Sequence, residues 1–251
     1  MKILLKIAYD GKNYCGWQVQ KNGPSIQGEL CRASAEAYGC EVRITGCSRT
    51  DSGVHAKEYF CTLETENGAP VIPNDKLPTA LNVRLPEDIT VYSAKTVPDS
   101  FHARYSVESK TYEYRIDNSA ERDPFLRDRA WYLKKPLDAV RMDKVAKAFI
   151  GEHDFSAFMA SGSDIKDKVR RVTEVSVHRE GTEVIFRVSA NGFLYNMVRI
   201  MMGTLTDISY GKIKADELSD IISSLDRRRA GITAPPSGLY LVNVEYGNNL
   251  M

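Results

Sequence analysis

The segment 48–56 holds a carboxylate and a cation at a spacing that could support catalysis. Asp51 lies two residues after Arg49, between two stretches rich in β-forming residues. A turn at the end of a strand points its side chains into open space, and a nearby guanidinium favours the ionised carboxylate, which can act as a nucleophile or general base. The competing interpretation is turn chemistry, because Asp followed by Ser-Gly commonly accepts hydrogen bonds from nearby backbone N–H groups. On the residues alone, turn chemistry is favoured.

Two tyrosines and an arginine are further candidates for ligand contacts. Tyr112 and Tyr114 share one face of a predicted strand, a pattern more typical of a core than of a stacking platform. Arg199 interrupts an apolar run at helical spacing, where a cation either extends to solvent or pairs with a carboxylate. The sequence pattern alone favours extension to solvent over pairing with a carboxylate.

Several other chemistries are disfavoured by missing motifs. None of the four histidines forms an H-E-x-x-H set, and neither a G-x-G-x-x-G after the first strand nor a P-loop motif is present. The five cysteines are odd in number and include no C-x-x-C pair, which favours reduced thiols over a metal site. We therefore expect neither a bound metal nor a nucleotide cofactor.

The overall charge does not indicate a polyanion partner, because the 251 residues include 34 Lys and Arg and 33 Asp and Glu. Local basic clusters could still follow a phosphate backbone, although each cluster alone is more typical of a solvated face. They comprise Lys166, Lys168, Arg170 and Arg171, and separately Arg227, Arg228 and Arg229. With no apparent signal segment and no apolar run near 18 residues, the sequence predicts a cytoplasmic protein without membrane contact.

The elements that must position these residues follow from hydrophobic periodicity. Alternating apolar residues predict strands at 2–9, 41–48, 55–64 and 89–97 in the first part of the chain. A helix is expected after Ser25, a plausible N-cap, and before Gly39, a plausible left-handed C-cap. The region 73–86 reads as a short helix and loop. Asp51 thus falls between two predicted strands.

The second part of the chain partly repeats this order. Strands are predicted at 111–116, 172–178, 183–190 and 239–246, and helices at 137–150, 194–208 and 218–225. The repeat predicts an α+β chain of two similar halves, 1–105 and 106–251, whose antiparallel-rich sheets are covered by helices. The sheets could join edge to edge and leave a central cleft for a ligand.

Short strings in a fixed order resemble the TruA family of tRNA pseudouridine synthases across nearly the whole chain. Each string is weak evidence by itself, but their order and spacing together are specific. The strings are Tyr9-Asp10-Gly11, Gly16-Trp17-Gln18, Arg49-Thr50-Asp51, Gly53-Val54-His55-Ala56, Phe101-His102-Ala103-Arg104, His153-Asp154-Phe155, Asn191-Gly192-Phe193, Met197-Val198-Arg199 and Gly238-Leu239. Ser48 and Ser52 depart from the family, which usually has Gly and Ala there.

The resemblance implies a pseudouridine synthase fold with two ferredoxin-like halves, and it assigns roles to the candidate residues. Asp51 would be catalytic, Tyr112 would pack against the target base, and Arg199 would pair with the Asp51 carboxylate. Arg49 and Arg104 would contact the flipped nucleotide or its phosphates at the site mouth.

The implied reaction turns uridine into pseudouridine in the tRNA anticodon stem-loop, at tRNA positions 38, 39 and 40, without cofactor or metal. A homodimer would bind tRNA across both subunits. One alternative is a tRNA-binding or tRNA-folding protein of the same fold that lacks catalysis. A second, suggested by the repeat alone, is a metabolite-binding regulator.

Overall fold

The computed structural model describes residues 2–66, 69–162 and 165–247. The chain forms two compact units, unit 1 bounded by Met1–Glu108 with Leu241–Met251 and unit 2 by Ser109–Tyr240. Each unit combines helices with a sheet of mostly antiparallel strands, so the predicted α+β class is confirmed. The division at residues 105 and 106, the edge-to-edge joining of the halves and the central cleft stay predictions.

The first elements of unit 1 follow the order strand, helix, strand, strand, helix, strand. They are β1 (Lys2–Tyr9), α1 (Ile26–Tyr38), β2 (Val42–Gly46), β3 (His55–Thr65), α2 (Leu77–Asn82) and β4 (Ile89–Thr96). β1 lies between β3 and β4, and β2 pairs with the second half of β3, from Cys61 to Thr65. All of these pairings are antiparallel. This is the split β-α-β arrangement of a ferredoxin-like half.

Local side-chain chemistry sets the ends of α1 where the sequence predicts them. The Ser25 side chain accepts a hydrogen bond from the Gly28 N–H, and Gly39 ends the helix in the left-handed conformation at φ 67°. Ile26, Leu30 and Ala33 are buried on the face that packs toward β2. α1 thereby covers the sheet at β2, the strand that leads into the loop carrying Asp51.

Unit 2 again alternates strands and helices. Its elements are β5 (Val107–Asp117), β6 (Trp131–Tyr132), α3 (Ala139–Ala146), β7 (Gly151–Asp154), β8 (Val169–Glu180), β9 (Glu183–Ala190), α4 (Met197–Ser209) and α5 (Leu218–Ser224). The strands β5, β9, β8 and β7 are neighbours in that order, and β6 pairs with the end of β5 in parallel. Gly181, at φ 56°, closes the β8–β9 hairpin.

Some boundaries differ from the predicted ones for identifiable reasons. α4 begins at Met197 and not at Leu194, because Asn196 is left-handed at φ 61° and interrupts the helical backbone. The predicted helix 137–150 ends early in a tight turn at Lys147–Phe149. β6 and β7 were not predicted, since each is short and lacks an alternating pattern of its own.

The last strand, β10 (Leu239–Tyr246), matches its predicted bounds and pairs with β3. Within unit 1, the Tyr246 ring packs against Phe60 and Phe101 at centroid distances of 5.5 and 5.1 Å. Its hydroxyl donates to the Ala103 carbonyl at 2.7 Å. β10 therefore fixes the segment that follows β4. None of the described helices is long and apolar enough to cross a membrane.

Candidate active site

Asp51 lies on the loop between β2 and β3, where the sequence predicts it. The two strands pair antiparallel, with Gly46 opposite Cys61, so the residues after Gly46 leave the sheet before the chain returns at His55. Asp51 is partly exposed, whereas Thr50 before it is buried. The loop thus presents the carboxylate while anchoring the residue beside it.

Hydrogen bonds from the segment after β1 hold the backbone of this loop. The Trp17 N–H donates to the Thr50 carbonyl at 3.1 Å, and the Gly53 N–H donates to the Tyr14 carbonyl at 3.3 Å. Inside the loop, the Val54 N–H donates to the Asp51 carbonyl at 3.2 Å. Each bond fixes a different residue of the turn, so the position of the Asp51 backbone is well determined.

Two glycines let the neighbouring segment approach this closely. A Cβ on Gly16, which has φ 96°, would lie 2.4 Å from the Thr50 carbonyl oxygen. A Cβ on Gly11 would lie 2.0 Å from the Val54 carbonyl oxygen. Neither position accommodates a side chain, because contacts this short require the backbone to move. The glycines of the strings Tyr9-Asp10-Gly11 and Gly16-Trp17-Gln18 therefore shape the Asp51 loop.

Polar side chains fix both ends of the same loop. The Tyr9 hydroxyl and the Thr50 hydroxyl lie 2.9 Å apart. His55 is buried, and its Nδ1 lies 3.0 Å from Asp10 Oδ1 and 3.1 Å from the Gly11 nitrogen. Since Nδ1 can donate to the carboxylate in one tautomer and accept from the N–H in the other, either form ties His55 to the turn after β1.

Tyr112 and Tyr114 lie on β5 in unit 2, and both are buried. Tyr112 is 6% exposed and packs edge-on against Phe193, with ring centroids 5.0 Å apart. The Tyr114 hydroxyl donates to the Pro235 carbonyl at 2.7 Å. Burial raises the pKa of the Tyr114 hydroxyl, and the nearby charge of Arg199 lowers it. Both side chains are therefore packed inside unit 2, Tyr114 with its hydroxyl on the Pro235 carbonyl and Tyr112 with its ring on Phe193.

Arg199, in the first turn of α4, is partly buried and held by polar groups of unit 2. Its Nε donates to the Ala234 carbonyl at 2.7 Å, and one terminal nitrogen donates to Asn196 Oδ1 at 2.6 Å. The Ala234 N–H donates back to the Arg199 carbonyl at 3.1 Å. The left-handed Asn196 that delays the start of α4 thus also orients the guanidinium.

Arg49 and Arg104 come together around a cavity of about 510 Å³ in unit 1. Arg43, His102 and Tyr105 line the same cavity, but Asp51 does not. Sequence reasoning did not single out Arg43 or Tyr105. The available signal for Tyr105 was an aromatic residue directly after Arg104, at the end of a string that also contains His102.

The five predicted site residues fall into two sets. Arg49, Asp51 and Arg104 belong to unit 1, and Tyr112 and Arg199 belong to unit 2. The structure brings Arg49 and Arg104 to one cavity, and it places Arg199 close enough to Tyr114 for its charge to act on that hydroxyl. The catalytic role of Asp51, the pairing of Asp51 with Arg199 and the stacking role of Tyr112 stay predictions. Among the described residues, no group of three or more His, Cys, Asp or Glu side chains could hold a metal.

The amino-acid sequence matches a family model described as tRNA pseudouridine synthase, over residues 6–106 and 145–247. The chain belongs to this family, which confirms the resemblance inferred from its motifs. Proteins named tRNA pseudouridine synthase A are similar to it over nearly their full length. The protein of Thermoanaerobacter sp. (strain X514) is 47% identical over 244 residues, covering 97% of this chain and 99% of its own.

Other relatives are also named tRNA pseudouridine synthase A. The protein of Acetivibrio thermocellus is 47% identical, with 97% of this chain and 99% of its own covered. The protein of Halalkalibacterium halodurans is 44% identical, with 95% and 90% covered. Among solved structures, a chain of a Cbf5-Nop10-Gar1 complex matches at a TM-score of 0.42 and 14% identity, covering 95% of this chain and 48% of that one.

Proposed function

We propose that this protein isomerises uridine to pseudouridine in the anticodon stem-loop of tRNA, at the positions expected from its motifs, with Asp51 as the catalytic carboxylate. The observation that carries the proposal is the loop of unit 1 that holds Asp51. Gly16 packs against Thr50 in this loop, while the neighbouring Asp51 stays partly exposed. A catalytic group held on a fixed backbone is already positioned for its substrate. The family to which the chain belongs supports tRNA as the substrate.

The reaction needs no net oxidation or reduction. The glycosidic bond between ribose C1′ and uracil N1 breaks, the base turns, and C5 forms a new bond to C1′. C5 then loses its hydrogen as a proton, and N1 gains a proton. Asp51 can attack the ribose, attack the uracil ring or assist elimination at the sugar, and all three roles use the ionised carboxylate. The target uridine must leave its stack, at a cost of a few kcal/mol. Tyr112 would replace part of that stacking.

In this proposal, Arg199 pairs with the Asp51 carboxylate and keeps it ionised. The guanidinium is suited to that task because Asn196 and Ala234 already fix its orientation. Arg49 and Arg104 hold the substrate backbone at the cavity of unit 1. We further propose that the protein acts in the cytoplasm, as a homodimer and without a metal.

The proposal is tested with tRNA transcripts labelled with tritium at uridine C5. We expect the wild-type protein to release tritium from them, because C5 loses its hydrogen only if the new bond forms there. Transcripts labelled at C6 are the control and should keep their label. Binding without release would favour the non-catalytic tRNA-binding protein, and the absence of binding would favour the metabolite-binding regulator.

Replacement of Tyr112 separates a stacking role from a hydroxyl role. Tyr112→Phe keeps the ring and should lower kcat/KM less than threefold, whereas Tyr112→Leu should lower it about tenfold or more, as expected for loss of one base–aromatic stack. Steady-state pseudouridine formation measures both. Tyr112 packs on Phe193, so thermal unfolding of each variant must show that the fold is kept. Equal losses would assign the role to the hydroxyl instead.

The dependence of tRNA binding on salt tests the local basic patches. Lys166 is exposed on the segment that leads into β8, and Arg171 is exposed on β8 itself. Arg228 instead forms an ion pair with Asp226 at 2.8 Å. We expect log Kd to rise linearly with log salt concentration, with a slope of roughly 0.7 to 0.9 per phosphate contacted. Lys166→Gln with Arg171→Gln should reduce this slope, and Arg228→Gln should change it less. A flat salt response of the wild type would contradict the patches.

A further inference from the structure

The cavity of unit 1 has the charge of an anion-binding site. Arg43, Arg49 and Arg104 line it, and no carboxylate among the described residues forms an ion pair with any of them. The described lining residues include no Asp or Glu either. Three guanidinium groups around one concavity repel one another, and a bound anion offsets that repulsion. At about 510 Å³ the cavity is within the usual size range of ligand pockets, roughly 300–1,000 Å³.

The segment after β4 presents an aromatic ring at this cavity and is itself rigidly held. Phe101 and Ala103 point inward and are buried, with the Phe101 ring on Tyr246 and the Ala103 carbonyl bonded to the Tyr246 hydroxyl. The Ser106 N–H donates to the His102 carbonyl at 3.0 Å, which closes a tight turn. The side chains of His102, Arg104 and Tyr105 therefore point outward from a fixed backbone.

Tyr105 is one of these outward side chains. The residue is 75% exposed, although an aromatic side chain gains stability from burial. The His102 ring lies 4.3 Å from it, and His102 Nδ1 accepts the N–H groups of Arg104 and Tyr105 at 3.1 and 3.3 Å. The Arg104 guanidinium lies 5.6 Å from the Tyr105 centroid. An open aromatic face beside cations is how proteins bind unpaired RNA bases and their phosphates.

We propose that the segment His102–Ser106 and this cavity form a second nucleotide subsite, which takes an unpaired nucleotide of the tRNA loop other than the target uridine. The base stacks on Tyr105, and its phosphates contact Arg43 and Arg104. Asp51 is not among the residues that line the cavity, so the proposal places a nucleotide other than the target uridine there. The inference rests on the proposed function for the identity of the RNA, and it adds a contact that holds the loop while the target base is turned.

The test uses the whole protein with anticodon stem-loop hairpins that carry 2-aminopurine at one unpaired loop position at a time. We expect stacking on Tyr105 to quench the fluorescence at one position. Tyr105→Ala should abolish that quenching and weaken binding about tenfold, the effect of losing one stacked base. Tyr105→Trp, which keeps an aromatic face, should restore both. Tyr92→Ala is the matched control, because Tyr92 is 60% exposed in the same unit and does not line the cavity.

Steady-state kinetics on full tRNA separate the subsite from the proposed function. We expect Tyr105→Ala to raise KM more than it lowers kcat. If wild type converts tRNA and Tyr105→Ala behaves like Tyr92→Ala in binding, quenching and KM, the subsite is overturned while the function stands. If wild type forms no pseudouridine but the Tyr105-dependent quenching remains, the function fails and the subsite stands. Quenching at no position would overturn the subsite in either case.

Discussion

Asp51→Asn should abolish pseudouridine formation while leaving the fold and tRNA binding intact. The amide has the shape of the carboxylate but neither its charge nor its nucleophilicity, so every proposed role of Asp51 in bond breaking is lost. Removal of a catalytic nucleophile typically lowers kcat by about 10⁴-fold or more. Tritium release from C5-labelled tRNA measures the loss, and filter binding measures tRNA affinity, which we expect to change only a few-fold.

Asp75→Asn is the matched control for Asp51→Asn. Asp75 is an exposed aspartate of the same unit, and its carboxylate lies 3.7 Å from the ammonium group of its neighbour Lys76. This variant should bind and isomerise like wild type. Turnover by Asp51→Asn within a factor of ten of wild type would contradict the assignment of Asp51 as the catalytic carboxylate.

Gly16→Ala should have the second-largest effect, although residue 16 carries no functional group. The added Cβ would lie 2.4 Å from the Thr50 carbonyl oxygen, so the Asp51 loop or the segment after β1 must move. The backbone at φ 96° is also unfavourable for alanine. Strain and overpacking together should lower the free energy of unfolding by about 2–5 kcal/mol. A shift of the carboxylate by about 1 Å can lower the rate roughly 10²-fold.

Gly39→Ala separates the loss of stability caused by backbone strain from the loss of rate caused by displacement of the Asp51 loop. Gly39 also has a positive φ, 67°, but no heavy atom lies within 4 Å of its Cβ position. We expect a loss of about 1 kcal/mol of stability from backbone strain, and no loss of kcat beyond twofold. Chemical denaturation and tritium release measure the two quantities. Gly16→Ala with the kcat of wild type would show that the contact with Thr50 does not position the catalytic loop.

The parts of the fold that could be predicted are those encoded by local chemistry. Ser25 and Gly39 determine both ends of α1 with their own side chain and backbone, so reading the sequence was sufficient there. β6 is different, because Trp131 and Tyr132 become a strand only through their partners Ile116 and Asp117. A pairing between segments distant in sequence has no local signal.

The candidate site shows the same distinction. Asp51 could be found because its turn composition and its neighbour Arg49 are adjacent in sequence. The role of Gly16 could not be derived, since it depends on a contact with Thr50 across the fold. Tyr105 was missed because exposure is a property of the folded chain, and an aromatic residue is predicted to be buried unless the structure shows otherwise.

The pairing of β10 with β3 has a consequence for biosynthesis. Unit 1 is discontinuous in sequence, because unit 2 (Ser109–Tyr240) is translated between the two segments that form unit 1. A nascent chain on the ribosome therefore lacks Tyr246, which supports Phe101 and Ala103, until all of unit 2 has been added. The proposed RNA-contacting turn at Tyr105 then gains its support only after unit 2 has been made. Incomplete chains should consequently be poor competitors for tRNA in a ribosome-rich environment.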